Sequence, residues 1–243
     1  MAYRIEIPLA KIELGYWAIR GLGQPIRFML AFADVPFSEV RLGANPDGSL
    51  ITDRSLESAD WNEHKETIDF PFPNLPYLID TSGPTEIRLT QSNAIIRYLG
   101  RRFDLYGDGE PDRAAIDVLQ DEAYDFRNKI IDTTYVEKDE YPGALDEFIA
   151  TAVPRYVDRF EQYLQSTGST SHFIGDRISQ VDFVLYELIW QTSVMVPGSI
   201  TSNNRPGLFA FIESFAEIPL IANYMSQDTY IERPINSIWT AFN

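Results

Sequence analysis

Pro76 stands inside "PFPNLPYLID", where Leu75–Ile79 otherwise has the apolar, aromatic composition of a strand. A proline has no N–H to donate, so it breaks the hydrogen-bond ladder on one edge. Two readings stay open. Either the proline ends a loop, or it sits in a tight turn, in cis form, that leaves its neighbours' backbone groups aimed outward at an extended ligand. The side-chain chemistry available to the chain is narrow. With no cysteine it has no disulfide, no thiolate metal site and no thiol nucleophile of its own. Its two histidines, His64 and His172, lie far apart without ligand-like spacing, so zinc or iron chemistry is not expected and no metal is assigned.

The elements that would position such a site must come from 243 residues carrying a net charge of −16. The charge is unevenly spread. Residues 1–103 hold 11 Lys+Arg against 13 Asp+Glu, a net of −2, whereas 104–243 hold 9 against 23, a net of −14. Such acidity argues against nucleic acid and against an anionic membrane surface as partner. The start, MAYRIEIPLAKIEL, has no apolar run of signal-peptide length, and no segment elsewhere is apolar for long enough to span a membrane. A cytoplasmic protein is expected.

Lys11–Ile19 has the enrichment of a strand and stops at the glycines and proline of RGLGQP. Pro25 suits the first turn of a helix, and Ile26, Met29, Leu30 and Ala33 fall on one side of it. Phe37–Leu42 reads as a second strand. Gly43–Trp61 reads as a long Asp/Ser/Gly-rich loop with at most a turn of helix. Tyr77–Thr90 reads as a hairpin around TSGP, and Thr90–Phe103 as a helix with Ala94, Ile95, Tyr98 and Leu99 on its apolar side. Beyond residue 104 the periodicity is helical, with candidate helices near 111–137, 144–166, 180–193, 206–216 and 218–225. Ser179, followed three residues later by Asp182, marks a helix start, and Val181–Trp190 predicts a central helix buried on several faces. The fold class is therefore α/β plus all-α, with a mixed domain over 1–103 and an all-helical domain over 104–243.

Three motifs in order, LGYWAIRGLGQPIR, FPNLPYLID and LTQSNAIIRYL, followed by an acidic helical half containing DFVLYELIW, resemble the cytosolic glutathione transferases, and most closely their mu class. The resemblance runs from Leu14 to the carboxy terminus. It implies a thioredoxin-like amino-terminal domain that binds glutathione and a carboxy-terminal helical-bundle domain that contributes the hydrophobic-substrate site. It also implies a homodimer with glutathione as co-substrate and no bound cofactor. The activity implied is detoxification-type transfer, in which the thiol of glutathione is activated for attack on hydrophobic electrophilic small molecules. The Leu75–Pro76 bond is then cis, and the Leu75 backbone pairs antiparallel with the cysteinyl part of glutathione, a short β-augmentation that leaves the thiol free.

Carried over residue by residue, the resemblance makes Tyr16 the catalytic hydroxyl that hydrogen-bonds the glutathione sulfur. A free thiol near pKa ~8.5 is only a few per cent ionised at neutral pH, and an O–H aimed at sulfur favours the thiolate. Gln91 and Ser92 hold the γ-glutamyl end, where a helix amino terminus suits a carboxylate. Asn74, Leu75 and Pro76 meet the middle of the ligand, Trp61 and Lys65 its glycyl end, and Trp17 and Leu22 lie beside it. Asp125 reaches the γ-glutamyl amine of the other subunit's ligand. Trp17, Ile19, Leu22, Ile131 and Tyr135 line the electrophile pocket, with the Tyr135 hydroxyl in a second catalytic role over the electrophile. Phe72 matches an aromatic key that enters the partner subunit and Arg97 an arginine at the two-fold axis.

The chain also departs from the pattern. Ser58 stands where the family has an arginine three residues before the tryptophan, with Arg54 one turn earlier as the available substitute. The loop before Trp61 is longer, and Met1–Ala10 is additional. A non-catalytic glutathione-binding, hydrophobic-ligand-binding or structural protein on the same scaffold is the rival reading, with isomerisation and reductive dehalogenation as rival reactions. Retention of Tyr16, Gln91, Ser92 and Asp125 favours transfer.

Overall fold

The strand carrying Tyr16, β2 (Ile12–Trp17), is buried at Ile12, Leu14, Gly15 and Tyr16, as befits the middle of a sheet. In the computed structural model, which describes residues 2–243, the five-stranded order is β1-β3-β2-β4-β5, with β1 (Tyr3–Ile5), β3 (Phe37–Leu42), β4 (Tyr77–Asp80) and β5 (Ile87–Thr90). β2 and β3 are parallel, and the crossover that a parallel pair requires is α1 (Gln24–Phe32), opened by Pro25 in its first turn. β4 runs antiparallel to β2, and β4 and β5 form the expected hairpin. This unit extends through Tyr98 and takes in the returning segment Asp228–Ile238.

Three sequence expectations change in this unit. Gly43–Trp61 is not one long loop, because Arg54 onward forms α2 (Arg54–Lys65), with Asp53 Oδ1 accepting from the Ser55 N–H (2.9 Å) at its start. The helix is hidden from periodicity because Asp60 is its single buried residue, so it has no apolar stripe. The additional amino-terminal residues supply β1, which pairs antiparallel with β3 and covers that edge of the sheet. In α3 (Ser92–Arg102) Ile95, Ile96 and Leu99 are buried while Ala94 is exposed, so the apolar face is rotated toward Ile96.

The second unit, Leu99–Gln227 with Trp239–Asn243, is helical: α4 (Glu110–Thr134), α5 (Tyr141–Ala152), α6 (Asp158–Thr167), α7 (Gln180–Met195), α8 (Pro206–Ala216) and α9 (Pro219–Met225). The single helix expected over 144–166 is α5 and α6 joined by one π turn, Val153–Val157. Pro154 has no N–H for the i−4 carbonyl there, and the ladder widens around it. α7 is the buried central helix, covered on several faces from Gln180 to Ile189. At its start the Ser179 N–H and Oγ–H donate to Asp182 Oδ2 (2.7 and 2.9 Å), and the Phe173 N–H donates to Oδ1 (2.8 Å). Among the described residues no single helix is long and apolar enough to cross a membrane.

The first unit is tied together by buried charge. Glu39, on β3 and 3 % exposed, meets Arg27 of α1 (2.6 Å) and Arg41 of β3 (2.8 Å), and the Arg27 side chain is fully buried. Burial opposes ionisation of Glu39, but Arg27 and Arg41 together hold its carboxyl below the ordinary value near 4.5. Asp182 is shifted the other way. Burial pushes it up to about 6, against the hydrogen bonds it accepts from Ser179 and Phe173.

Opposite pH signatures follow. The depressed Glu39 contributes stability that is present above pH 4.5 and lost as the pH falls through its lower folded-state value. The raised Asp182 contributes stability that is full below 3.8 and lost as the pH rises through about 6. Urea unfolding of Glu39→Gln at neutral pH should show a loss of about 3–5 kcal/mol, the cost of leaving a buried guanidinium unpaired, and the loss should shrink below pH 4. For Asp182→Asn the deficit relative to wild type should instead be larger at pH 5 than at pH 8. Parallel pH dependence of the two deficits would refute this assignment.

Candidate functional site

Antiparallel register places Gly15 opposite Tyr77 and Tyr77 opposite Thr90. The carboxy ends of β2 and β5 and the amino end of β4 therefore share one end of the sheet, where the next residues along are Tyr16, Pro76 and Gln91. Topology alone gathers three of the expected site residues.

Tyr16 is 5 % exposed, and its hydroxyl oxygen accepts a hydrogen bond from the Leu22 N–H at 3.0 Å. A phenol whose oxygen accepts one hydrogen bond can still act as a donor. Gly21 makes this geometry possible, because its φ is +40° and a Cβ there would lie 2.6 Å from the Tyr16 hydroxyl. The turn itself is pinned from below. Arg27 Nη1 donates to the Ile19 carbonyl (2.8 Å), and the returning segment accepts the Arg20 N–H at Pro234 O (3.0 Å) and the Gly21 N–H at Ile235 O (2.8 Å). Arg20, fully buried, also donates from its guanidinium to the Ile231 carbonyl (3.0 Å) and to the Tyr230 hydroxyl.

The Leu75–Pro76 bond is cis, as the family resemblance implied. The Leu75 N–H turns to Asn74 Oδ1 (2.9 Å), so an extended ligand that pairs with Leu75 must exchange with the Asn74 amide. Gln91 has φ +72°, a left-handed conformation that costs a non-glycine residue roughly 1 kcal/mol or more. Its carbonyl accepts the Ile95 N–H (3.0 Å), and the turn delivers Ser92, 7 % exposed, to the amino end of α3. Tyr16 and Leu75 belong to one apolar cluster, against which Trp17, Ile19, Leu22 and Trp61 pack. Trp61 and the half-buried Lys65 lie one turn apart on α2, with Ser58 exposed and Arg54 exposed at the helix start. Behind Trp17 and Ile19 the space closes to about 10 Å³, bounded by Leu50, Ile51 and Ile238.

The remaining expected residues lie on the second unit or on the surface. Asp125 is exposed on α4, Ile131 is half-buried there, and Tyr135 caps the helix with its N–H on the Ile131 carbonyl (2.9 Å) and 52 % of its surface exposed. Phe72 is 77 % exposed beside the cis bond, and the carbonyl of that residue accepts from Thr90 Oγ1 (2.9 Å). Sequence reasoning missed the Leu22 N–H, the Arg27–Glu39 pair and the returning segment. Only Arg27 gave a signal, as a charged residue between Ile26 and Phe28 on a helix that is otherwise apolar there.

Comparison with known proteins agrees with this architecture. The glutathione S-transferase N-terminal domain matches residues 12–101 and a glutathione S-transferase C-terminal domain matches 124–228. Glutathione S-transferase Mu 1 of Oryctolagus cuniculus is 33 % identical, with 94 % of this chain and 98 % of that protein covered. Glutathione S-transferase Mu 3 of Homo sapiens is 34 % identical, covering 94 % and 93 %. Among solved structures the glutathione S-transferase Blo t 8 superposes with a TM-score of 0.80 at 26 % identity, over 95 % of this chain and 99 % of that one. A thioredoxin-like sheet ending in Tyr16, the cis Pro76 and Gln91, joined to a helical bundle and matched over nearly its whole length, places this chain in the glutathione S-transferase family.

Proposed function

We propose that the protein is a cytoplasmic, mu-class-like glutathione transferase that ionises the thiol of glutathione and directs it at hydrophobic electrophiles. The observation that carries this reading is the Tyr16 hydroxyl, which receives the Leu22 N–H at 3.0 Å at the sheet end where Pro76 and Gln91 also lie. An oxygen that already accepts a hydrogen bond is a stronger donor, because the two bonds polarise one another.

The chemistry follows from that donor. Glutathione lies along Leu75, with its γ-glutamyl carboxylate at the amino end of α3 and its glycyl carboxylate toward Trp61 and Lys65. The thiol gives its proton to water and the Tyr16 O–H stabilises the sulfur anion. The sulfur lone pair then forms a C–S bond to the electrophile, and the pair of the broken bond leaves with a halide or settles on an epoxide or enolate oxygen. Tyr135 donates to that second oxygen. A bond made only as this charge develops lowers the barrier without tightening the ground state.

Dimer formation belongs to the same reading. Phe72 is 77 % exposed, and following the family resemblance we assign it and Arg97 to the contact between two copies, with Asp125 completing the partner's glutathione site.

Tyr16→Phe should leave the fold and glutathione affinity largely unchanged while raising the apparent pKa of the bound thiol by about one unit or more, and turnover at neutral pH should fall on the order of 10²-fold. Ultraviolet titration of the bound thiolate reads this directly, and an unchanged pKa removes Tyr16 from the chemistry. Tyr135→Phe keeps the ring and removes the donor. With a slow epoxide or enone kcat should fall roughly 10- to 100-fold, with little change in KM for glutathione and no shift of the thiol pKa. Unaltered kcat would make Tyr135 a pocket wall. Phe72→Ser with Arg97→Glu should sediment as a monomer that scarcely binds glutathione in calorimetry, and a monomer of full affinity would refute the cross-subunit role of Asp125.

A further inference from the structure

We infer that His64 is a positioning residue for the glutathione site, acting through a polar chain, Arg4–Glu13–Tyr77–His64, by which the amino-terminal strand β1 helps to hold α2 in place. The inference rests on the assignment of Trp61 and Lys65, both on α2, to the glycyl end of glutathione.

Besides Trp61, which packs on the apolar cluster, α2 is fixed by polar contacts. Asp60 is its one buried residue and accepts the Gly43 N–H (3.1 Å), which fixes the middle of the helix to the end of β3. The second pin is His64, in the last turn and adjacent to Lys65, whose Nε2 lies 3.2 Å from the Tyr77 hydroxyl. The two rings stack at 5.6 Å with an interplanar angle of 21°. Across a cavity of about 210 Å³ lined by Ala2, Arg4, Asp60, Glu63, His64 and Thr67, β1 and α2 face one another without close packing. The connection between them is therefore polar.

Proton bookkeeping fixes the direction of each bond. Tyr77 is fully buried, and burial together with the neighbouring Glu13 raises its pKa well beyond the ordinary range, so it keeps its one proton. It donates that proton to Glu13 Oε1 at 3.0 Å. The His64 contact must then run the other way, with Nε2–H donating to the Tyr77 oxygen. Burial lowers the His64 pKa, the Arg4 charge lowers it further, and Glu13 and Asp60 oppose them, so a neutral imidazole with its hydrogen on Nε2 fits. The other Glu13 oxygen, Oε2, accepts from Arg4 Nη1 at 3.3 Å. The chain depends on Gly15, since the Tyr77 ring crosses it to reach Glu13 and a Cβ there would lie 1.9 Å from Tyr77 Cε1.

Loss of the His64 donor should loosen the end of α2 that carries Lys65. Ground-state binding of glutathione then weakens while the Tyr16 chemistry is untouched, which appears as a change in KM without a change in kcat.

The test uses the full-length protein, calorimetry with glutathione and steady-state kinetics with an aryl halide. His64→Leu should weaken glutathione binding about 5- to 10-fold, the size of one lost hydrogen bond, with kcat at saturating glutathione and the bound-thiol pKa unchanged. His64→Gln, which retains an N–H donor, should restore wild-type affinity. Arg4→Met should weaken binding by a smaller factor, and Arg4→Met with His64→Leu should bind no more weakly than His64→Leu alone, because both act through one chain. Unchanged affinity in His64→Leu, or simply multiplied effects in the double variant, overturns the inference. If His64→Leu does not fold, Arg4→Met and His64→Gln decide in its place, and unchanged affinity in Arg4→Met is then the overturning result. A wild-type protein that does not bind glutathione defeats the functional reading and this inference together, whereas normal wild-type binding with no response in the variants defeats the inference alone.

Discussion

The Glu39 carboxylate lies between two guanidinium groups, and the placement of Tyr16 depends on that contact. Arg27 cannot leave it without stranding a full charge in the interior, so α1 is held to β3 and the Arg27 fork is held against the Ile19 and Trp17 carbonyls (2.8 and 3.4 Å). Arg41, on the other side of Glu39, donates to the Thr229 carbonyl (2.5 Å) and so helps to bind the returning segment. That segment in turn accepts the N–H groups of Arg20 and Gly21. The turn presenting the Leu22 N–H to Tyr16 is thus fixed at both ends by buried charge and backbone bonds. Distance alone does not measure the value of such a pair. Arg177–Asp108 has the same 2.6 Å separation as Arg27–Glu39. The first is exposed and screened by solvent, so it adds little, whereas breaking the second leaves a buried, unpaired charge at a cost on the order of 3–5 kcal/mol.

Strands, hairpin and central helix were legible in the sequence because each leaves a local mark: alternation, turn residues, a capping pair; the cis form of Pro76 was legible only through the family resemblance. α2 and β1 left little mark. A helix with one buried residue has no 3.6-residue stripe to detect. A three-residue edge strand is too short for alternation to stand out from chance. Asp53 was a usable sign, being a capping residue ahead of a run with no proline or glycine, but without an apolar face it carries little weight. The site was legible to the extent that it is made of side chains in motifs. What was hidden is contributed by backbone, namely the Leu22 N–H on Tyr16 and the carbonyls of Thr229, Ile231, Pro234 and Ile235 that receive the Arg20–Gly21 region and Arg41. Any residue can supply a carbonyl, and any except proline an N–H, so no residue type announces them.

The same distinction separates two kinds of contact with glutathione. The proposed ligand carries carboxylates at both ends, and the half of the chain that would bind them has a net charge of only −2, against −14 in the helical half. Surface charges are screened over about 8–10 Å at moderate salt, so the proposed reading rests binding on local groups such as Lys65 and the amino end of α3 rather than on the field of the whole chain. These contacts are uniform, since the carboxylates keep their charge throughout the reaction. They set how much glutathione is bound and leave the barrier unchanged.

Only a group that meets changing charge can alter the rate, and in the first unit the reading gives that role to the Tyr16 hydroxyl. Each unit by which it lowers the thiol pKa is worth about 1.4 kcal/mol, a small energy that is easily lost if the ring tilts. That smallness explains why so much of the surrounding structure is rigid. A Cβ at Gly21 would lie 2.6 Å from the hydroxyl, the Leu22 N–H is directed at its oxygen, and Arg27 lies 6.0 Å from the ring centroid. α2, by contrast, carries the contacts assigned to glutathione in its ground state, and its polar pins at Asp60 and His64 both border a cavity. On this reading the buried charge serves the group that must not move, whereas the contacts assigned to ground-state affinity sit on a helix with a single buried residue.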